Sequence, residues 1–208
     1  MNVVAETNFG SPASDLKLSA PRRTVLLYGT EGRRTGTMTS TDVATGERAD
    51  LLSALAKQRY FLRYTARGLT DEQAAQRTTA SALCVGGAIK HVTQTERQWT
   101  QFIVAGPSAM ASDESAIGAY LDGFRMLEGE TLAGLLAEYD QVAQRTDDLI
   151  RSLPDLDASH PLPEAPWFEK GASWSARRVL LHVIAETAQH AGHADIIRES
   201  LDGAKSMA

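Results

Sequence analysis

Residues 174–203, WSARRVLLHVIAETAQHAGHADIIRESLDG, decide the fold of this chain. The stretch holds no proline and ends in Gly203, a residue type that commonly terminates helices. Its apolar residues recur at helical rather than alternating spacing. Three of them are expected in a core: Leu181, Ile184 and Ile197. The pattern predicts one long helix over about 174–201, with Ser173 as its N-cap.

Three of the five histidines of the chain fall on this predicted helix and share one side of it with a carboxylate. At about 100° per residue, Glu186 lies about 40° round the helix from His182, and His190 lies about 40° further on. His193 returns to within about 20° of His182. Because bare imidazole and carboxylate groups are costly to bury, this polar stripe on the inward side of a helix requires partners.

A metal ion is one partner that satisfies such a stripe. Glu186 and His190 are four residues apart and can converge on one ion, as can His182 and Glu186. His190 and His193 form a similar pair, three residues apart. All four cannot bind the same ion, because His182 and His193 are about 16 Å apart along the helix axis. One pair is therefore expected to ligate, with a third ligand from a facing helix, for which His91 is the candidate.

Three more long helices are predicted upstream from apolar residues spaced i, i+3, i+4 and i+7. They span about 46–67, 82–104 and 130–152. Between the first two, the sequence Thr70-Asp-Glu-Gln73 forms a capping box that predicts a short helix near 71–76. Ser81 is the expected N-cap of the second long helix, and a further short helix is expected near 114–121.

The remaining segments define the domain organisation. The proline-rich stretch 154–172 predicts a long loop before the last helix. No alternating strand pattern is evident over 44–208, and four amphipathic helices with one long connection favour an all-α four-helix bundle there. Residues 1–43 are rich in Gly, Ser and Thr, lack helical periodicity and are expected to form a flexible N-terminal tail.

The predicted tail contains one apolar patch, residues 24–28, which indicates either a short strand or no regular structure. We expect the tail to be dispensable for the fold and for metal binding. The alternative is that the patch docks on the bundle or on a partner chain. Met38 shortly precedes the first amphipathic helix and is a candidate for the true start of the chain.

Composition and charge exclude several classes of function. The chain has 208 residues and a formal net charge of −5, so it lacks the basic footprint of a nucleic-acid or membrane-surface protein. No apolar run reaches the length of a transmembrane helix and no secretory signal pattern is present, so a cytoplasmic location is expected. The single cysteine, Cys84, cannot form an internal disulfide and is expected to be a small core residue rather than a ligand.

On these residues the sequence resembles the DinB/YfiT-like superfamily over most of 46–203. The strongest local matches are residues 87–92, GAIKHV, and residues 182–199, HVIAETAQHAGHADIIRE. The resemblance implies a four-helix bundle whose metal is held by one histidine on the second long helix and two residues four apart on the last. Carried over by position, the implied ligands are His91, Glu186 and His190. The superfamily often has histidine in place of Glu186, whereas the branch similar to mycothiol-dependent maleylpyruvate isomerase has glutamate, as here.

The last helix also looks like that of a branch containing thiol S-transferases. Two histidines and a carboxylate are typical of a catalytic zinc site with one open position, and they also suit nickel, iron or manganese. A thiol entering that position would lose its proton and could attack an electrophilic carbon as thiolate. We therefore expect a metal-dependent S-transferase that uses mycothiol or a similar small thiol and a small electrophile, with a homodimer left open.

Alternative functions remain open on the same residues: a thiol-dependent cis–trans isomerase, a metal-dependent hydrolase, or a non-catalytic, stress-related metal-binding bundle. The sequence has no Gly-rich phosphate loop, so a nucleotide cofactor is not expected. Arg178 and His193 flank the stripe that begins at His182, and all three are candidates for a substrate-facing role. Arg178 could bind a carboxylate through a bidentate pair, or be an ordinary surface residue. His160, in the predicted loop, is expected to have no role at the site.

Overall fold

The structure, a computed structural model, describes residues 44–110, 118 and 122–206. The helices with both ends in these ranges are α1 (Glu47–Thr65), α2 (Asp71–Ala75), α3 (Val85–Ala105), α4 (Leu132–Ser152) and α5 (Ala176–Asp202). A single 3₁₀ turn, Gly106–Ala109, follows α3. Two short strands, β1 (Ser159–Pro161) and β2 (Ser173–Ser175), pair antiparallel in the connection from α4 to α5.

The four long helices α1, α3, α4 and α5 form a four-helix bundle, which confirms the predicted all-α class. Helix α5 packs on α1 and α3, and α3 packs on α4. Two clusters of buried apolar side chains fill the interior, one along the N-terminal half of α3 and one along its C-terminal half. The first includes Leu62, Ile89, Leu135 and Ile197, and the second includes Leu55, Phe102, Ile150 and Val183.

A polar layer separates the two apolar clusters. On α3, the buried members of the first cluster end at Val92 and those of the second begin at Trp99. On α5, the buried members of the second cluster end at Val183 and those of the first begin at Ala191. The helical turns between these residues place polar side chains of α3 and α5 between the two apolar clusters. A polar side chain that is buried there needs a polar partner.

The prediction of a long loop over 154–172 is wrong in part, because β1 lies within it. Ser159 of β1 pairs with Ser175 of β2, immediately before α5. Strands of three residues are too short to show an alternating pattern, so nothing in the sequence marks them. Because Ser173 belongs to β2, it is not the N-cap of α5; that residue is Ser175, whose hydroxyl accepts a hydrogen bond from the Arg178 N–H.

Two other details of the prediction are also wrong. The N-cap of α3 is Cys84 rather than Ser81, and its Sγ accepts a hydrogen bond from the Gly87 N–H at 3.2 Å. Sulfur is a weak acceptor, so cysteine is not a residue that usually signals a helix start. Leu181 is not a core residue, since it is 49% exposed, whereas Ile197 is buried as expected.

The capping box of α2 and the glycine stop of α5 are both confirmed. The predictions for residues 1–43, Met38 included, lie outside the described residues, as does the short helix near 114–121 apart from residue 118. None of the helices that the structure describes is long and apolar enough to span a membrane.

Candidate metal centre

One histidine of α3 and two residues of α5 meet inside the bundle. Ligand atoms of His91, Glu186 and His190 all lie within 4.8 Å of one another. The Nε2 atom of His190 is 3.7 Å from a carboxylate oxygen of Glu186, and the rings of His91 and His190 have centres 4.6 Å apart. In the described part of the chain, no other three His, Cys, Asp or Glu residues converge in this way. We refer to these three residues as the triad.

Burial sets the charge states of the triad. His91 and His190 are buried, and Glu186 is half-buried. Burial lowers the pKa of His91, while burial together with the nearby His91 and His193 lowers the pKa of His190 to about 4. Both imidazoles are therefore neutral at pH 7, the form in which histidine binds metal. Burial raises the pKa of Glu186, so a neighbouring cation would stabilise its carboxylate.

The donor set of the triad fits a divalent metal ion. The Nδ1 atom of His190 is buried and finds no hydrogen-bond partner among the described residues, and the same holds for Nδ1 of His193. Buried polar atoms without a partner are costly, so a partner beyond the described residues, such as an ion, is expected at these nitrogens. Two neutral imidazoles and one carboxylate are a set that zinc accepts, and nickel, iron and manganese accept it too.

The segment that precedes α4 packs tightly on α3 and positions His91. A Cβ added to Gly87 would overlap the carbonyl oxygen of Phe124, so the segment can lie this close only because the position has no side chain. The Phe124 ring stacks on His91, with centres 4.4 Å apart and planes 25° apart. Lys90 binds the carboxylate of Glu130 at 2.6 Å and so anchors the same segment at its other end.

His182 lies beside the triad rather than within it. Its Nε2 atom is 3.8 Å from the second carboxylate oxygen of Glu186. The half-buried His182 ring lies against Trp99 and Trp174, with centres 4.8 and 5.1 Å away. Burial and, secondarily, the charge of Arg178 lower the pKa of His182. This location suits a residue that supports Glu186 or faces a substrate.

Arg178 and His193 lie on opposite sides of the triad along α5. The guanidinium carbon of Arg178 is 4.0 Å from the centre of the Trp174 ring, and its side chain is exposed. His193 follows His190, with ring centres 5.4 Å apart. The structure therefore places His193 next to His190 and Arg178 on the Trp174 ring, and neither belongs to the converging group.

His160 and Cys84 lie elsewhere. His160 belongs to β1, where its Nε2 is 3.2 Å from the carbonyl oxygen of Ile103 and its ring packs near Phe102. Cys84 is buried at the start of α3 and acts as its N-cap. Neither residue belongs to the triad.

Sequence analysis missed a buried ion-pair network that joins α1, α3 and α4. Arg59 of α1 donates to both carboxylate oxygens of Glu96 on α3, and also to Asp147 of α4 at 2.7 Å. The Arg59 and Glu96 side chains are almost completely buried. We refer to these three residues as the ion-pair network.

The sequence does contain a signal for this network. Arg59 lies four residues after Leu55 and three before Leu62, which are both core residues. Glu96 has the same spacing on α3, between the core residues Val92 and Trp99. A charged residue in the middle of an apolar helix face is buried with its neighbours and needs an opposite charge.

Comparisons with known proteins define first the class and then the family. YfiT from Bacillus subtilis, described as a "probable metal-dependent hydrolase with an unusual four-helix bundle topology", matches this structure with a TM-score of 0.56 and 14% sequence identity. The match covers 80% of this chain and 92% of YfiT, and it shows that the two share a four-helix bundle fold. The family model MST, mycothiol-S-transferase, matches residues 50–203, so this chain belongs to the mycothiol S-transferase family. No curated protein sequence matches significantly.

Proposed function

We propose that this protein is a metal-dependent S-transferase that joins mycothiol, or a similar small thiol, to a small electrophile. The observation that carries the proposal is the convergence of His91, Glu186 and His190 in a chain of the mycothiol S-transferase family. We assign these three residues as ligands of one divalent ion, with zinc as the first choice. When bound, such an ion lowers the pKa of a coordinated thiol, so that the thiol reacts as thiolate near pH 7.

The three ligands have distinct roles in this proposal. His91 and His190 supply neutral donors, and Glu186 supplies one negative charge, so a divalent ion retains one net positive charge. An incoming thiolate would neutralise that charge, which favours a thiolate over a neutral ligand in a half-buried site. With only these three protein ligands, a bound ion would have room for the thiol as a further ligand.

His182 is our candidate for the residue that takes up the thiol proton. It is neutral near pH 7 because its pKa is lowered, it lies 3.8 Å from Glu186, and its partial exposure lets the proton pass to solvent. The sulfur lone pair then forms the carbon–sulfur bond, and the leaving group of the electrophile departs as an anion. The proton count balances without any redox partner.

Conjugation of mycothiol to monochlorobimane by the zinc-loaded protein tests the proposal. We expect a fluorescent conjugate and chloride to form together, well above the uncatalysed rate. The variants His91→Ala and His190→Ala should lose this activity together with the metal. The matched control is His160→Gln, which also removes a histidine but leaves the triad intact, and it should retain both.

Two outcomes would contradict transfer. One is the absence of any rate above background with mycothiol, cysteine, glutathione or coenzyme A in a protein shown to hold one metal ion. The other is loss of the electrophile to a hydrolysis product at a rate independent of thiol. That second result would support the hydrolase activity named for YfiT instead.

A further inference from the structure

Aromatic rings lead from the triad to an exposed arginine. The Trp99 and Trp174 rings stack with centres 4.7 Å apart, and both lie against the ring of His182. His182 in turn lies 3.8 Å from Glu186 of the triad. At the other end, the guanidinium carbon of Arg178 lies 4.0 Å from the centre of the Trp174 ring. The rings of Trp99, Trp174 and His182 are called the aromatic wall below.

Arg178 differs from its neighbour Arg177 in how its charge is compensated. Arg177 forms ion pairs with both Glu47 and Asp157. The guanidinium of Arg178 forms no ion pair with any carboxylate of the described residues, and the ring of Trp174 is the group that holds it. A guanidinium that stacks on a ring keeps the N–H donors at its edge, and their planar fork matches a carboxylate.

We propose that Arg178 binds a carboxylate of the electrophilic substrate, and that the aromatic wall lines the path from this carboxylate to the triad. The inference rests on the proposed function, because the reactive carbon must reach a sulfur held at the triad. Arg178 precedes Glu186 by eight residues, which corresponds to about 12 Å of helix rise. The substrate class is therefore an elongated acid with its reactive carbon at the end opposite the carboxylate. Flat aromatic or conjugated skeletons suit a wall of rings.

A pair of electrophiles that differ in charge tests this assignment. The probes are 4-(bromomethyl)phenylacetic acid and its methyl ester, each with mycothiol and the zinc-loaded protein. The measured quantity is kcat/KM for the acid divided by kcat/KM for the ester, corrected for the uncatalysed reactions. We expect Arg178→Gln to lower this ratio at least about fivefold, Arg178→Lys to lower it less, and salt to lower it in wild type.

The control variant is Arg177→Gln, which removes the same charge one residue away. A ratio that changes less than fivefold in Arg178→Gln, or that changes as much in Arg177→Gln, overturns the proposal. Calorimetry with mycothiol alone should give the same Kd for wild type and Arg178→Gln. A weaker Kd there would assign the arginine to the thiol and overturn its assignment to the electrophile.

An equilibrium measurement separates this inference from the proposed function. The mycothiol conjugates of the acid and of the ester are prepared chemically, and their Kd values are measured by calorimetry on wild type and Arg178→Gln. If no electrophile is turned over, the proposed function fails, yet a preference of wild type for the acid conjugate that is lost in Arg178→Gln still supports the carboxylate site. Equal Kd values for the two conjugates in wild type overturn it.

Discussion

Two polar clusters lie in the interior of this bundle, and they differ in how their charges are compensated. The ion-pair network is complete within the chain, because Arg59 bonds both oxygens of Glu96 and also Asp147. The triad is incomplete, because Nδ1 of His190 has no partner among the described residues and burial raises the pKa of Glu186. The partners of the first cluster all lie within the chain, whereas we propose a metal ion as the partner of the second.

The difference matters because both clusters use a side chain of α3, His91 in the triad and Glu96 in the ion-pair network. Glu96 follows His91 by five residues on α3, in the polar layer between the two apolar clusters. A buried polar group whose partners all lie within the chain is explained by the fold. A buried nitrogen with no partner among the described residues, such as Nδ1 of His190, is instead the mark expected of a binding site. The predictions that follow test this distinction, from the largest expected effect to the smallest.

Removal of a triad histidine should have the largest effect. Wild type is expected to hold about one divalent ion per chain, and His91→Ala and His190→Ala should weaken zinc binding by more than about 100-fold, since loss of a direct ligand exceeds the 10–100-fold effect typical of supporting residues. Elemental analysis after dialysis measures the stoichiometry. Full occupancy in both variants would contradict the assignment of these ligands, and His160→Gln serves as the control that keeps its metal.

Removal of one charge from the ion-pair network should lower the stability of the fold and leave metal binding unchanged. Glu96→Gln leaves the buried Arg59 with only the less buried Asp147, and should lower the free energy of unfolding by about 3 kcal/mol. Urea denaturation measures this. The matched control is Glu138→Gln, which removes the same charge from a partly exposed pair with Arg97. It should lower the free energy of unfolding by less than about 1 kcal/mol.

The Glu96→Gln variant also shows whether the triad and the ion-pair network are independent. Folded Glu96→Gln protein should still hold about one metal ion per chain, because Glu96 is not part of the triad. Loss of metal under conditions where the variant remains folded would show that the network positions the triad. The triad and the ion-pair network would then form one connected site rather than two separate clusters.

Local periodicity explains why the fold could be predicted. The four long helices follow from apolar residues three and four apart, and this information lies within each segment. The triad required a facing helix as well. His91 was the candidate from the sequence because it is the histidine on another long helix, the resemblance implied the same residue, and the structure brings it next to His190. Whether these residues bind metal remains a prediction.

Features that depend on contacts between distant segments were not predicted. The pairing of Ser159 with Ser175 displaces the start of α5, and no local pattern marks it. The aromatic wall joins Trp99 of α3 to Trp174 of β2, which are far apart in the sequence. Arg59 is different, because its position between Leu55 and Leu62 on an apolar helix face marks it in the sequence as a buried charge.

A substitution where Gly87 approaches the backbone of Phe124 should have an intermediate effect on stability and on zinc affinity. Gly87→Ala introduces a Cβ that overlaps the Phe124 carbonyl, so the segment must move and its stacking on His91 is lost. We expect the free energy of unfolding to fall by about 1–3 kcal/mol and zinc affinity to fall about tenfold. Denaturation and competitive zinc titration measure the two effects.

Two other helical glycines provide the controls for this prediction. A Cβ at Gly192 of α5 meets no atom within 4 Å, so Gly192→Ala should raise stability by up to about 1 kcal/mol and leave zinc affinity unchanged. At Gly86, the overlapping group is the flexible side chain of Met126, so Gly86→Ala should have a smaller effect than Gly87→Ala. Equal effects of all three substitutions would show that the position of Phe124 does not matter for His91.

The smallest effect on metal binding is expected from substitution of His182, and this substitution tests whether the metal site extends beyond the triad. The Nε2 atom of His182 is 3.8 Å from one carboxylate oxygen of Glu186, and that of His190 is 3.7 Å from the other. The distance to Glu186 therefore does not distinguish the two histidines. Only His190 also has a ring beside His91, and only the group that contains His190 converges. His182→Ala should therefore weaken zinc binding by no more than about tenfold, as for a supporting residue, while it lowers the transfer rate.

Competitive zinc titration compares His182→Ala with His190→Ala. The control is Gln189→Ala, at an exposed position on the same helix, which should change neither zinc affinity nor the transfer rate. If His182→Ala lost more metal than His190→Ala, the ion would lie one turn closer to the start of α5, and the orphaned nitrogen of His190 would need a different explanation.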